Sequence, residues 1–378
     1  MTPSAARALL GGHTTRAFLA RCWHKEALLV RAAVPGFAGV ITRDELFALA
    51  ARDDVASRLV QRVRDRYTLD EGPFAARALK RLPPRDWTLL VQGVNLHSDA
   101  ADALLRRFAF IPYARLDDLM VSYAAPGGGV GPHYDSYDVF LLQATGTRRW
   151  RYGRQRDLRL RPGAPLKILQ RFTPQHDATL AAGDMLYLPP DFAHDGVALD
   201  ACTTYSIGFR APLNQELAEA FLDHVRDTVS VPGRYADPDL RATRASGRID
   251  ARMRRRVAQA IAQVRWDGGD VARFLGRYLT EPKPQVVFAP GRRRSRGEFH
   301  RSIGRAGVRL DRRTQLLYDD TRYYINGDDA PLPASGAPAL RKLADQRALP
   351  AEACAALSTE MIDMLHEWHR HGFLAEAA

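Results

Sequence analysis

The chain has 378 residues, of which 46% are hydrophobic and 9% aromatic. This length predicts two or three domains, and the composition excludes an intrinsically disordered protein. No stretch is long and apolar enough to cross a bilayer, and the amino terminus lacks an apolar run of secretory length, so we expect a cytoplasmic protein with no membrane partner.

Lysine and arginine outnumber aspartate and glutamate by 55 to 43, which gives a net charge of +12. A basic protein favours polyanionic partners, so the charge predicts a ribosome or RNA contact through a basic surface. Nearly all of the positive charge is arginine, which a GC-rich genome would explain equally well. The three cysteines are far apart and lack metal-binding spacing, so we assign no chemistry to them.

The first hundred or so residues are predicted to form helices that carry short strands. Residues 15–25 have apolar side chains at helical spacing, and Thr42 with Glu45 has the pattern of a helix N-cap. The pattern then changes to short β runs separated by glycine and proline turns, which predicts a sandwich or small barrel. These predicted strands are residues 119–123, 139–143, 149–152, 185–188 and 203–209.

The strands stop after Pro212, and residues 213–282 are predicted to be helical. Such a segment either forms an interface between subunits or packs back on its own barrel. Residues 281–296 contain three prolines and an arginine cluster, which is typical of a linker. Residues 283–378 then read as a small winged-helix-like α/β domain, with strands at 308–310, 315–318 and 322–325 and a tight turn at Asn326-Gly327.

His133 and Asp135 stand two residues apart, and His194 follows 59 residues after Asp135. These are the residue types of a two-histidine, one-carboxylate triad, which leaves three positions open on an octahedral ion. On a strand, residues two apart point to the same face, so we expect His133 and Asp135 to share an ion. The prolines at 189–190 would aim His194 from a loop. The open positions suit a bidentate 2-oxo acid and dioxygen.

The distal carboxylate of a 2-oxo acid needs a fixed cation, preferably a guanidinium. Arg148 fits this role, because it follows a turn on the strand that returns beside residues 133–143 and shares a face with Trp150. The alternative is that Arg148 belongs to a solvated strand face. Ser122, in phase with Asp118 along its strand, is a candidate second partner for the carboxylate, or else an ordinary strand serine.

The chain contains a set of distinctive runs at residues 117–120, 126–133, 137–140, 146, 148–150, 183–187, 189–190, 194, 205–206 and 208–210. Together these runs resemble the JmjC-type bacterial ribosomal oxygenases, and the similarity covers most of residues 15–212. The resemblance implies an α+β protein with a double-stranded β-helix core of the jelly-roll, or cupin, type. It also implies a homodimer formed by a helical segment, and a carboxy-terminal winged-helix-like domain. The predicted division is therefore 1–212 for the oxygenase domain (core about 100–212), 213–282 for dimerisation and 283–378 for the last domain.

The same resemblance implies roles for individual residues. His133, Asp135 and His194 would hold iron(II), while Arg148 and Ser122 would hold 2-oxoglutarate. The substrate would be an arginine of a large-subunit ribosomal protein, hydroxylated at its β-carbon with oxygen from O2.

A cationic arginine substrate also needs anionic or aromatic neighbours, and we predict that Asp118 and Tyr137 bind it. The chain departs from the family pattern near the pocket, for example at Asp191, where a glycine is common, and at Thr204, which replaces a usual asparagine. Three alternatives stay open: a histidyl hydroxylase of ribosomal proteins, another cupin-like metal enzyme, and a non-catalytic basic adaptor that binds RNA.

Overall fold

A computed structural model describes residues 3–64 and 66–377. The helices are α1 (Pro3–Leu9), α2 (Thr15–Arg21), α3 (Arg43–Ala50), α4 (Ala76–Leu79), α5 (Asp99–Arg106), α6 (Asn214–Thr228), α7 (Ala251–Ile261), α8 (Gly268–Thr280), α9 (Arg296–Ala306), α10 (Ala337–Gln346), α11 (Ala351–Ala355) and α12 (Thr359–Arg370). None of these helices is long and apolar enough to span a membrane.

The strands of the first 212 residues are β1 (Leu28–Val30), β2 (Ser57–Val63), β3 (Arg66–Glu71), β4 (Trp87–Val91), β5 (Leu116–Ala124), β6 (Val139–Thr145), β7 (Arg148–Arg154), β8 (His176–Leu180), β9 (Met185–Leu188), β10 (Phe192–Ala198) and β11 (Cys202–Phe209). Short strands follow later in the chain: β12 (Val308–Leu310), β13 (Leu316–Tyr318), β14 (Arg322–Ile325), β15 (Asp328–Pro331), β16 (Ala348–Leu349) and β17 (Leu374–Glu376).

Two antiparallel sheets form the core. The larger has the order β1-β9-β6-β11-β5-β4-β2-β3, and the smaller has the order β10-β7-β8. The chain passes back and forth between the sheets, as in a double-stranded β-helix: β6 lies in the large sheet, β7 and β8 in the small one, β9 in the large one, β10 in the small one and β11 in the large one. The predicted fold class is confirmed for this part of the chain.

The outer face of the large sheet is covered by the amino-terminal helices. Central strand β11 lies between β5 and β6 and is buried along its whole length, because one face meets the cavity between the sheets and the other meets this helical layer. Phe18 of α2 and Phe108 are both fully buried there, and each contacts the ring of Phe140. The helices therefore support the sheet that forms one wall of the cavity.

The structure corrects two predictions about strands. Strands β8 and β10 were not predicted, because β8 is polar and β10 contains an aspartate and a glycine within its run. His194 therefore lies within a buried strand, not on a loop. Arg148 begins β7, which pairs with β8 and β10 and does not run beside residues 133–143. The prediction that Arg148 and Trp150 point to the same face of their strand is correct, since Arg148, Trp150 and Tyr152 are all buried.

The remaining predicted elements agree with the structure to within a few residues. Thr42 and Glu45 form the predicted capping box at the start of α3. Asn326 and Gly327 both have positive φ, 50° and 91°, and join β14 to β15 as a two-residue hairpin turn.

Helix α8 packs against the three-stranded sheet of β13, β14 and β15, although it was predicted within the dimerisation segment. The Tyr324 ring leaves no room for a Cβ at Gly276, and Arg277 Nε donates to Gly327 O at 2.9 Å. The carboxy-terminal region also contacts the amino-terminal helices, where Arg312 forms an ion pair with Asp99 at the start of α5 at 2.7 Å. The predicted boundaries at 212 and 282 stay predictions.

Candidate metal centre

His133, Asp135 and His194 meet at one end of the cavity between the two sheets. Each offers one ligand atom, and these three atoms lie within 4.8 Å of one another. The two imidazole rings are 4.2 Å apart between centroids, and His194 Nε2 lies 3.7 Å from Asp135 Oδ2. Three ligands gathered from one side in this way can bind an ion while leaving its other positions open.

Each imidazole is oriented by a backbone carbonyl. His133 Nδ1 lies 2.8 Å from Gly131 O, and His194 Nδ1 lies 2.8 Å from Phe192 O. Since a carbonyl only accepts, Nδ1 carries the proton in both rings and donates it. The Nε2 lone pair of each ring is therefore available to a metal ion.

His194 is held in its neutral form. Its side chain is almost fully buried, and this burial, together with the nearby His133, lowers the pKa of His194 to about 4. A neutral imidazole is the form that binds a metal ion, so at neutral pH this ligand needs no deprotonation.

Asp135 lies in the turn after His133, and this corrects the prediction that both residues share a strand. Only His133 forms a β-bridge, and its partner is His194. The backbone of Asp135 is fixed instead by Asp191, whose N–H donates to Asp135 O at 2.9 Å. Asp191 has φ 62°, in the left-handed region, which the glycine that the resemblance implies at this position would adopt without strain.

The cavity has a volume of about 470 Å³ and is lined by residues of both sheets. Arg148 lines it and is only 5% exposed, yet its Nε and Nη2 atoms have no hydrogen-bond partner in the described part of the chain. A buried guanidinium without a counter-charge is strongly unfavourable, so this cation is arranged for an anionic ligand. The donor set and this unpaired cation together fit a metal ion with a 2-oxo acid.

Ser122 lies on the wall opposite Arg148 and is 3% exposed. Its hydroxyl donates a long bond of 3.5 Å to Thr204 O, so a carboxylate in the cavity would be a better acceptor. Thr204 takes part in a separate pair, in which its hydroxyl donates to Gln143 Oε1 at 2.9 Å. The Thr204 side chain therefore lines the cavity but forms no hydrogen bond with the Ser122 hydroxyl.

Asp118 and Tyr137 lie together on the cavity wall, beside Gly208. A Cβ added to Gly208 would lie 3.6 Å from Asp118 Oδ1 and 4.0 Å from the Tyr137 ring. Asp118 Oδ2 accepts the backbone N–H of Gly93 at 2.9 Å, whereas Oδ1 faces the space over Gly208. Burial raises the pKa of Asp118, so its charge lacks full compensation from the protein.

Several cavity residues were not identified from the sequence. Gly208 has no functional group, and its importance depends on β11 lying beside β5, which no local pattern reveals. Thr88 and Arg58 line the cavity from β4 and β2, and each has a buried polar atom without a partner among the described residues. Only the pairing of β2 and β4 with the core sheet brings them there.

Comparison with known proteins identifies the family. Residues 103–217 match the JmjC domain, and residues 263–375 match the ROXA-like winged helix. The chain is 34% identical over 340 residues to the ribosomal protein uL16 3-hydroxylase of Escherichia coli, and the alignment covers 89% of this chain and 90% of the relative. The chain belongs to the ribosomal oxygenases.

Solved structures of ribosomal oxygenases agree with this assignment. An X-ray structure of YcfD from E. coli superimposes with a TM-score of 0.82 at 32% identity, covering 95% of this chain and 96% of that one. YcfD in complex with cobalt and 2-oxoglutarate gives a TM-score of 0.79 at 31% identity, with coverages of 95% and 96%. The predicted JmjC core, winged-helix domain and oxygenase class are confirmed. The His-Asp-His centre fits the iron(II) and 2-oxoglutarate pattern of these enzymes.

Proposed function

We propose that this ribosomal oxygenase hydroxylates the β-carbon of an arginine in uL16, a protein of the large ribosomal subunit. The observation that carries the proposal is one cavity that combines a metal triad, an unpaired buried guanidinium and a buried carboxylate. The uL16 target is supported by the similarity to the E. coli uL16 3-hydroxylase.

In this proposal His133, Asp135 and His194 hold iron(II) through two Nε2 atoms and a carboxylate oxygen. Bound iron with 2-oxoglutarate and O2 would supply the oxidising chemistry that inserts one oxygen atom into a C–H bond. The backbone carbonyls of Gly131 and Phe192 fix both imidazoles with Nε2 available to the ion, and burial keeps His194 neutral.

Arg148 and Ser122 bind the distal carboxylate of 2-oxoglutarate. Arg148 supplies the charge that this carboxylate needs in a buried site, and its two unpaired nitrogen atoms can donate to one anion. Ser122 adds a neutral donor from the facing sheet. Together they fix the co-substrate at a set depth and so leave the mouth of the cavity to the protein substrate.

Asp118 and Tyr137 bind the target side chain. The free Oδ1 of Asp118 and the Tyr137 ring flank Gly208, which leaves space for a flat guanidinium to pair with the carboxylate and stack on the ring. An uncompensated buried carboxylate favours a permanent cation over an imidazole, which is mostly neutral at physiological pH. The site therefore favours arginine over the histidine of a histidyl hydroxylase.

The substrate protein is the expected partner, and contact with ribosomal RNA belongs to the same proposal. A homodimer formed through the helical segment and a cytoplasmic location stay predictions. A basic adaptor without turnover is disfavoured, since nothing in such a role requires two imidazoles and a carboxylate grouped in one cavity with a buried, unpaired arginine.

The test uses purified enzyme with iron(II), 2-oxoglutarate and intact uL16, analysed by mass spectrometry. We expect one added oxygen atom on one arginine, with stoichiometric succinate, and no product from the His133→Ala variant. Oxygen on a histidine would assign a histidyl hydroxylase. No product on uL16, or on any ribosomal protein compared between cells with and without the gene, would overturn the proposal.

A further inference from the structure

The loop between β7 and β8 carries a dense group of positive charges. We name residues 154–171 the basic loop. It has six basic residues and one acidic residue, Asp157. The basic residues, all exposed, are Arg154, Arg156, Arg159, Arg161, Lys167 and Arg171.

Most of this charge is not neutralised within the chain. Arg159 forms an ion pair with Asp157 at 2.8 Å, and Arg154 Nη2 donates to Lys25 O at 2.7 Å. Arg154 and the other four basic side chains form no ion pair with any residue in the ranges 3–64 and 66–377; the other four are Arg156, Arg161, Lys167 and Arg171. Like charges held close together repel one another, so the loop has an electrostatic preference for a polyanion.

The basic loop is anchored beside the metal centre. Ile168 and Leu169 are buried, and Leu169 N donates to Pro132 O at 2.8 Å, directly before the metal ligand His133. Within the loop, Arg161 N donates to Ile168 O at 2.7 Å. Lys167 lines the cavity. A molecule bound along the loop would therefore reach the cavity at Lys167.

The β5 wall of the cavity carries two carboxylates, of which Asp117 pairs with Lys283 at 3.1 Å and with Arg210, whereas Asp118 forms no ion pair among the described residues. A strongly basic protein would be attracted to Asp118 but repelled by the basic loop. A basic protein segment that arrives together with a polyanion would match both the β5 wall and the basic loop.

We propose that the basic loop binds the phosphate backbone of RNA that accompanies the substrate protein. The inference rests on the proposed function, because a ribosomal protein substrate is one whose natural partner is RNA. Exposed arginines without a fixed geometry suit sequence-independent phosphate contacts. The substrate would then be an RNA-bound form of the ribosomal protein, and the loop would raise its affinity relative to the free protein.

The first experiment measures binding of a labelled 20-nucleotide RNA by anisotropy across a salt series. We expect RNA binding by the wild-type enzyme to weaken steeply as the salt concentration rises. In the triple variant Arg156→Gln, Arg161→Gln, Arg171→Gln, the slope of the logarithm of the binding constant against the logarithm of the salt concentration should fall by about one for each phosphate contact that is lost. The matched control, Arg241→Gln, Arg244→Gln, Arg248→Gln, removes the same charge from exposed positions far along the chain and should leave the slope unchanged.

Two outcomes of this experiment would overturn the inference. Equal losses in both triple variants would show that only net charge matters. Displacement of the RNA by polyglutamate of the same charge, at equal concentration, would indicate an acidic protein partner. Neither result depends on hydroxylation, so the inference can fail while the proposed function stands.

The second experiment measures hydroxylation by the loop variant. We expect kcat/KM to be unchanged on a short arginine peptide, and to fall severalfold on uL16 bound to an RNA fragment. A fall on the free peptide would show that the loop contacts the peptide itself, and an equal rate on RNA-bound uL16 would remove the proposed role.

Discussion

His133 and His194 exchange two backbone hydrogen bonds, with N–O distances of 2.9 and 2.8 Å in the two directions. Two proposed metal ligands that are far apart in sequence are thus placed by the backbone as well as by their side chains. The metal site is largely formed before metal binds, because neither backbone can shift without breaking this pair.

This arrangement predicts the result of removing one ligand. His194→Ala should fold normally, since the backbone pair is kept, but bind cobalt(II) at least about tenfold more weakly, because even outer groups around a metal typically contribute that much. Metal titration followed by absorbance measures the affinity. His176→Ala, an exposed histidine on β8, is the control and should bind metal as the wild type does. Normal affinity in His194→Ala would contradict the assigned centre.

The unpaired guanidinium of Arg148 predicts a specific loss of co-substrate binding. Arg148→Lys keeps the positive charge but cannot donate two hydrogen bonds to one carboxylate in the bidentate geometry of a guanidinium. The KM for 2-oxoglutarate should therefore rise on the order of tenfold or more. Steady-state kinetics of succinate formation gives this value. Arg149→Lys is the control, because Arg149 points outward and pairs with Asp177. An unchanged KM in Arg148→Lys would place the carboxylate elsewhere.

How far the sequence predicts this site depends on whether a residue acts through local spacing or through strand pairing. The triad was identified from residue types and spacing, although His133 and Asp135 do not share a strand, and Arg148 was identified from the alternation along β7. The strand that carries His194 was missed because its aspartate and glycine lie within a run that only burial between partners makes a strand. Gly208 and the basic loop depend on which strands lie side by side, which the chain determines only on folding.

The space over Gly208 predicts how the target arginine can be excluded. Gly208→Ala adds a Cβ at ordinary contact distance from Asp118 and Tyr137, so the fold should be kept while the substrate position is partly filled. We expect the KM for uL16 to rise severalfold with the KM for 2-oxoglutarate unchanged. Gly304→Ala, where an added Cβ meets open space on α9, is the matched control. Equal effects on both KM values would indicate a general structural change.

Burial of Asp118 predicts a trade-off between substrate binding and stability. The pKa of Asp118 is raised in the folded state. Its ionised form therefore lowers the free energy of unfolding at any pH above this folded-state pKa, and this loss of stability disappears as the pH falls below the pKa of the unfolded chain. Asp118→Asn should therefore be as stable as the wild type or more stable at neutral pH, with the difference narrowing in acid. Urea unfolding at several pH values measures this. A large loss of stability at neutral pH would contradict it.

The exposed apolar side chains of helix α7 predict where two copies of the chain would contact each other. None of its residues is buried, and Met253, Val257 and Ile261 are 43%, 40% and 66% exposed at a spacing of four, which places them on one face. Exposed apolar stripes of this kind are typical of subunit interfaces, so Val257→Glu should shift the enzyme to a monomer in sedimentation experiments. Gln259→Glu, on the exposed polar side, should leave the mass unchanged. A wild-type monomer would show that the stripe serves another contact.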